Sequence, residues 1–437
     1  MGSSGAKRSR SARPSAAAVP VGAPRQPPLH ARVRASFERH PYPAADRFEP
    51  IWRLPAWRWM RACAMPGTSP DRPPIRVLVA GCGTGAEAYA IASAFPRAQV
   101  VGIDFSARSI AIARSCSKSG AAAPQFAEAD LCDPTLPQQA ILRKRFDFIS
   151  CQGVASYVPD VDAALSNLRK LLTPKGMLYL GVNGAGHHSV RIRPLFRALG
   201  MDPTAMSDER SEATGRDVLR MYEILTRRRE GELSDESPSY IANDVFGPIN
   251  RCLPLGDWLA LAGKAGLEYR GNLGTARFAG ALLRPELLAS LLGLKRAEVA
   301  AFFDGMISDV FHSLVLTPGE AKKKKERAGE PDFADATALM PWRPLVTLWD
   351  RTELEGVTPV ERPVAISLTI PGVLRRATLE CRFEIVEILR LADGKRSLAE
   401  IYKSSPLLAA ARVESAIPSL FGLYHSNALQ FLPPASR

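Results

Sequence analysis

Three glycines in five residues, Gly81, Gly83 and Gly85, follow an apolar run and precede a helical pattern in VLVAGCGTGAEAYAIA, residues 77–92. A turn this rich in glycine lets a backbone approach a ligand closely, and phosphate is its usual occupant. Three details argue against phosphate here. A P-loop needs G-x-x-x-x-G-K-[ST], and no Lys follows these glycines. A dinucleotide fingerprint reads G-x-G-x-x-G, whereas the spacing is G-x-G-x-G. Glu87 falls in the first turn of the next helix, where its charge would repel a pyrophosphate. Two downstream acidic positions suggest another ligand. Asp104 ends a second apolar segment, where a carboxylate can accept both hydroxyls of a ribose. The EAD run, Glu128 to Asp130, ends a third, where an acid can accept from an exocyclic adenine amine. These residues describe an adenosine without phosphate whose remaining substituent needs close backbone contact, and S-adenosylmethionine (SAM) fits that description.

The elements that must position these residues alternate in type. The spacing predicts strands at 75–80, 98–104, 124–130, 146–153 and 177–183, and helices at 85–95, 106–119 and 160–172. Ser106 is placed to cap the second of those helices. Strand and helix at this rhythm make βαβ units and a parallel sheet, and near-continuous apolar strands say that both faces are covered. After Asn183 the rhythm breaks. Residues 184–262 read as helices and loops, 267–273 as a return to the sheet, 276–316 as a helical segment, and 317–335 as a linker. The stretch 382–403 is helix, tight DGK turn, helix, and 420–432 ends in a short strand, so 336–437 reads as a small winged-helix-like domain.

Bulk properties narrow the class. At 437 residues, 46% hydrophobic and 23% charged, the chain can build two or three ordinary cores. It has no uncharged apolar run of membrane-spanning length. Seven scattered cysteines, none in a C-x-x-C pair, argue against a disulfide framework and a zinc site, and fit a reducing, cytoplasmic setting. No metal is expected. Much of the net charge of +13 sits in two segments, Lys7 to Arg25 and the KKKKER run at 322–327. Residues 1–30 read as a disordered basic tail, with an organelle transit peptide as the alternative. Residues 31–74 are an aromatic-rich preface too small to fold alone.

VLVAGCGTG, VVGIDFS, FAEADL, FDFISCQGVASYV and LRKLLTPKGMLYL occur in the order found in the class I SAM-dependent methyltransferases, which the chain resembles over residues 75–183. The resemblance implies an α/β, Rossmann-like seven-stranded sheet with one reversed strand, here with a helical insertion and the winged-helix-like terminus. It implies SAM over the carboxyl ends of the first strands and methyl transfer by direct displacement at the sulfonium. By position, Gly81, Cys82, Gly83 and Gly85 would line the methionine side. Asp104 would bind the ribose, with Phe105 beside the adenine, and Asp130 and Leu131 would face the adenine. Gln152 and Gly153 would lie near the reacting methyl. A looser resemblance, carried by ERHPYP and by NDVFGPINRCLPLGDWLALAGKAGLEYRG, is to a bacterial group with an NPYP-like preface and helices covering the pocket.

The acceptor is less legible. An amine or hydroxyl acceptor must lose a proton, a task for His, Asp, Glu or Tyr. Many relatives place LHH where this chain has Ala155, Ser156 and Tyr157. The remaining candidates are Tyr42, Tyr157 and His187 as catalytic groups, with Glu38, His40 and His188 near them. The expected activity is methyl transfer to nitrogen or oxygen of a protein, a peptide or a small molecule. The alternative is a SAM-binding regulator without turnover that uses its terminal domain for partner binding. Nucleic acid is disfavoured: no NPPY or DPPY follows the fourth strand, and 382–432 lacks clustered basic residues. A homodimer is left open.

Overall fold

The computed structural model describes residues 28–43, 54–69, 71–116, 123–200, 209–273, 289–319, 330–346, 364–369 and 376–434. Two helices, α1 (Leu29–Arg39) and α2 (Leu54–Ala64), come first. The alternating part follows: β1 (Arg76–Ala80), α3 (Ala86–Ala94), β2 (Gln99–Asp104), α4 (Ala107–Ser115), β3 (Gln125–Glu128), β4 (Phe146–Gln152), α5 (Val161–Leu171) and β5 (Leu172–Asn183). Ser106 caps α4 as expected, accepting from the Ser109 N–H at 3.0 Å. Asp160 caps α5 in the same way at 2.9 Å. Along α5 the buried residues Val161, Ala164, Leu165, Leu168 and Leu171 recur at helical spacing, so one stripe faces the sheet.

Next come α6 (Ser189–Ala198), α7 (Glu209–Leu225), a helical turn continuing into one turn of π-helix over 238–245, α8 (Leu255–Lys264), β6 (Leu267–Asn272), α9 (Arg296–Ile307) and β7 (Phe311–Pro318). The sheet has seven strands in the order β3-β2-β1-β4-β5-β7-β6. Strands β1 to β5 pair in parallel, and β7 runs antiparallel to both β5 and β6. This corrects the reading of 276–316 as helical: its last residues, from Phe311, are the reversed strand. Leu314, Val315 and Leu316 are fully buried there, because the slot between β5 and β6 supplies ladder partners on both edges.

Successive residues of β1 point into opposite cores. Leu78 and Ala80 join Leu165, Leu168 and Trp258 on one face. Val77 and Val79 join Trp57, Trp59 and Ile91 on the other. Covering both faces leaves the carboxyl ends of the parallel strands as the open edge. A separate cluster (Ile192, Phe196, Leu219, Ile241, Phe246) builds the helical insertion.

The last part holds β8 (Arg343–Val346), the antiparallel pair β9 (Val364–Thr369) and β10 (Arg376–Cys381), α10 (Phe383–Leu391), α11 (Leu398–Ser404), α12 (Val413–His425) and β11 (Leu429–Leu432), which pairs with β8. Helix α9 belongs to both parts: Val299 and Phe303 enter the terminal core and Ala300 the sheet core. Buried Arg296 ties them, donating to the Arg270 carbonyl at 2.9 Å, to Gln430 at 3.0 Å and to the Tyr424 carbonyl at 3.2 Å. The basic tail before residue 28 and the Lys-rich run of the expected linker lie outside the described residues.

Candidate functional site

A cleft opens at the carboxyl ends of β1, β2, β3 and β4, the edge where open α/β sheets place their ligands. Its floor is the glycine turn. Gly81 and Cys82 both donate their N–H to the Ile103 carbonyl at 2.8 Å, Thr84 donates to the Tyr42 carbonyl at 3.3 Å, and Gly85 to the Cys82 carbonyl at 2.9 Å. Gly83 donates to Asp104 at 2.9 Å. Every N–H of the turn is therefore engaged inside the protein and none remains to cradle a phosphate. At Gly83 the close approach is literal: its φ is +50°, and a Cβ would stand 1.9 Å from the Tyr42 carbonyl oxygen. The preface thus seals one side of the turn.

The acids at the strand ends are brought together as expected. Asp104 lines the cleft and accepts from the Gly83 N–H and, through its other oxygen, from the Ser106 N–H at 2.9 Å. Burial pushes its carboxyl up to about 6 despite those two bonds. Asp130 also lines the cleft, with one oxygen accepting from the Cys132 N–H at 2.8 Å and the other held by His30 of α1. Glu87 lies beneath the turn and accepts from Ser150 at 2.5 Å. Phe105, Leu131, Gln152, Gly153, Gly81 and Cys82 complete the placement. A Cβ at Gly153 would meet nothing within 4 Å, so its open side is the cleft. Among the described residues the lining holds the carboxylates Glu87, Asp104 and Asp130 and no Lys or Arg, with Arg34 of α1 the cation that acts on Asp104 from outside it. Such a site suits a ligand that carries positive charge and hydroxyl donors, as SAM does with its sulfonium, ammonium and ribose.

Two expected site residues lie elsewhere. Gly85 does not line the cleft. At φ +91° it begins α3, and a Cβ there would press Ala113 at 2.9 Å and Phe126 at 3.2 Å, so it serves helix packing. His187 is also outside the lining. It is buried, shares a 2.8 Å hydrogen bond with Ser189, and burial takes its imidazole down to about 4, leaving it neutral.

Helix α1 forms the roof. Glu38 accepts the first two N–H groups of α4, from Ala107 at 2.7 Å and Arg108 at 3.1 Å, which fits a carboxylate at a helix N-terminus. Phe37 packs edge-on against Phe105 at 5.7 Å and against Tyr157 at 6.1 Å, linking the two ends of the cleft. Tyr42 lines the mouth, and burial with the charges of Asp244 and Glu236 raises its phenol to about 12.

The π-helical turn supplies residues that sequence reasoning missed. Asn243 accepts from Ser36 and donates to the His40 carbonyl, each at 2.9 Å, and so clasps α1. Asp244 accepts a short hydrogen bond from the Tyr157 hydroxyl. Asn183, the last residue of β5, donates to that hydroxyl at 2.8 Å and also to Asn250 at 2.8 Å. Asn250 donates to the Asp244 carbonyl at 2.7 Å. Burial, reinforced by Glu236, pushes Asp244 up to about 7. The signal was the ND pair inside NDVFGPIN, whose order does not reveal that its acid reaches Tyr157.

Residues 78–178 match the family model described as a methyltransferase domain. The chain is 30% identical over 104 residues to a ubiquinone biosynthesis O-methyltransferase of Actinobacillus pleuropneumoniae, covering 24% of this chain and 44% of that one. It is 30% identical over 193 residues to the Rickettsia prowazekii protein called uncharacterized protein RP028, covering 40% of this chain and 74% of that one. The chain thus spans less than half the length of some curated relatives it matches. Among solved structures, PKMT2 from Rickettsia typhi in complex with AdoHcy aligns at 16% identity and a TM-score of 0.48, over 88% of this chain and 76% of that one. No helix among the described residues is long and apolar enough to cross a membrane.

Proposed function

The chain belongs to the class I SAM-dependent methyltransferases, and from that premise we propose that it transfers a methyl group directly to a nitrogen or oxygen acceptor on a protein, a peptide or a small molecule. Bound SAM supplies an electrophilic methyl group on its sulfonium. One observation carries the reading: the acids at the ends of β2 and β3 and a glycine turn with no N–H to spare meet in one cleft. In this reading Gly81, Cys82 and Gly83 take the methionine side, with Glu87 beneath its ammonium. Asp104 holds the ribose, Phe105, Asp130 and Leu131 the adenine, and Gln152 and Gly153 border the methyl. Tyr42 and Tyr157 reach the acceptor side, while Phe37 and the Asn243 clasp shut the roof and exclude water. Holding both reactants in line supplies much of the rate effect.

Calorimetry with full-length protein tests this. S-adenosylhomocysteine should bind in the range usual for enzyme ligands, roughly 1 μM to 1 mM, and Asp104→Ala should weaken it. Absence of binding, or binding indifferent to Asp104→Ala, refutes the reading. A regulator without turnover would bind SAM yet never release S-adenosylhomocysteine with any acceptor.

A further inference from the structure

We propose that Tyr157 and Asp244 form a proton-accepting pair at the acceptor end of the cleft, so that the acceptor carries an N–H or O–H and is not a carboxylate. This rests on the methyltransferase reading above and deepens it by naming the acceptor chemistry.

The geometry of the phenol carries the inference. Tyr157 lines the cleft, and its hydroxyl donates to Asp244. One lone pair of its oxygen is taken by the Asn183 amide at 2.8 Å. In this proposal the other lone pair takes the acceptor's proton. A tyrosine held this way receives a proton on one side while releasing its own on the other. The Asn183 donor steadies the charge that grows on the oxygen meanwhile. A lone buried phenol would be a poor base, because burial pushes it well above its ordinary value and a free phenolate would be costly. Asp244 removes that obstacle by taking the phenolic proton in the same event, and its elevated affinity for protons suits work near neutrality.

The step balances. The acceptor's lone pair forms the new bond to the methyl carbon, and the S–C bond breaks with its electrons going to sulfur. The acceptor's proton passes to the Tyr157 oxygen as the Tyr157 proton passes to Asp244. S-adenosylhomocysteine and methylated acceptor leave, and Asp244 then gives its proton to solvent. The groups facing Asp244 are Tyr157, Tyr42, Tyr240, Glu236, His187 and Cys252. His187 stands 3.9 Å from Asp244 but is neutral, so it does not hold the acid ionised. The same field disfavours a carboxylate acceptor, which needs no proton removed and would meet Asp244, Glu236 and the acids of the cleft.

Infrared difference titration of the full chain tests the pair without an acceptor. A protonated carboxyl band should titrate near neutral pH in the wild type and be missing from Asp244→Asn. It should move to higher pH in Tyr157→Phe, because the hydrogen bond favouring the carboxylate is gone. An Asp244 already ionised at acidic pH, or a titration that Tyr157→Phe leaves unmoved, overturns the proposal. In parallel, n-butylamine, phenol and butyrate serve as probe acceptors, read as S-adenosylhomocysteine release. Transfer to the amine or the phenol should lose roughly 10²–10⁴-fold in kcat in both variants with KM for SAM unchanged. Transfer to butyrate at equal rates in wild type and variants overturns the proposal, and where no probe is accepted the titration decides. Calorimetry with S-adenosylhomocysteine separates the two claims. Failure of the wild type to bind it refutes the methyltransferase reading, whereas intact binding with a failed titration refutes only the pair.

Discussion

Asp104→Asn is the sharpest test of the cofactor end, because one carboxyl controls both stability and affinity with a calculable pH dependence. Its folded-state value is raised from 3.8 to about 6 by burial. The native protein therefore binds this proton more tightly than the unfolded chain does. The stabilisation is fully present below pH 3.8 and is lost as pH rises through about 6. At about 1.4 kcal/mol per unit the loss is about 3 kcal/mol. The difference in unfolding free energy between wild type and Asp104→Asn should fall by about that amount between roughly pH 4 and pH 7. Taking the difference cancels the titration of Asp244 in the neighbouring range. Affinity should run the other way. Ribose hydroxyls donate to the ionised form, so S-adenosylhomocysteine binding should be flat above pH 6 and weaken toward tenfold per unit below it. Asp104→Asn should show no such slope and bind more weakly by about 1.5–3 kcal/mol, the loss of a hydrogen bond to a charged group. Denaturant unfolding and calorimetry across this pH range provide both readings. A wild-type affinity independent of pH, or a variant that keeps the slope, would refute the assignment of Asp104 to the ribose.

Three other outcomes are expected. Gly83→Ala should cost about 1–3 kcal/mol from the positive φ alone. Its Cβ would also push Tyr42 off the turn, which limited proteolysis of the preface should detect. Asn243→Ala should release α1 by removing its bonds to Ser36 and His40. The cost is about 1–3 kcal/mol by denaturation, with faster hydrogen exchange in 29–39. Arg296→Met should strand the Arg270 and Tyr424 carbonyls and Gln430 at the junction of the sheet and the terminal unit. Calorimetric scanning should then show the terminal unit melting earlier, by about 1–3 kcal/mol of stability.

The cleft at the strand ends was legible because its signals are local. Apolar runs of strand length, glycines at fixed spacing and acids at strand ends each report a short stretch of backbone, and parallel strands must align their carboxyl ends. Gly85 shows the limit of this reasoning. It shares the turn with Gly81 and Gly83, yet its missing Cβ makes room for Ala113 and Phe126. The strand Phe311–Pro318 shows another limit: its own residues did not declare it, and its state was decided by the gap between β5 and β6. The contacts of Tyr157 and of α1 were not legible for a related reason. Tyr157 and Asp244 are 87 residues apart, and Ser36 and Asn243 are 207 apart. No periodicity links such positions, and a carboxylate in a helical segment reads as a solvated face until packing buries it. Sequence by itself determined the fold class and the chemistry of the methyl donor, since both are written in spacings of a few residues. Only the tertiary structure decided which acid meets Tyr157 and which helix closes the roof, since both depend on where distant segments pack.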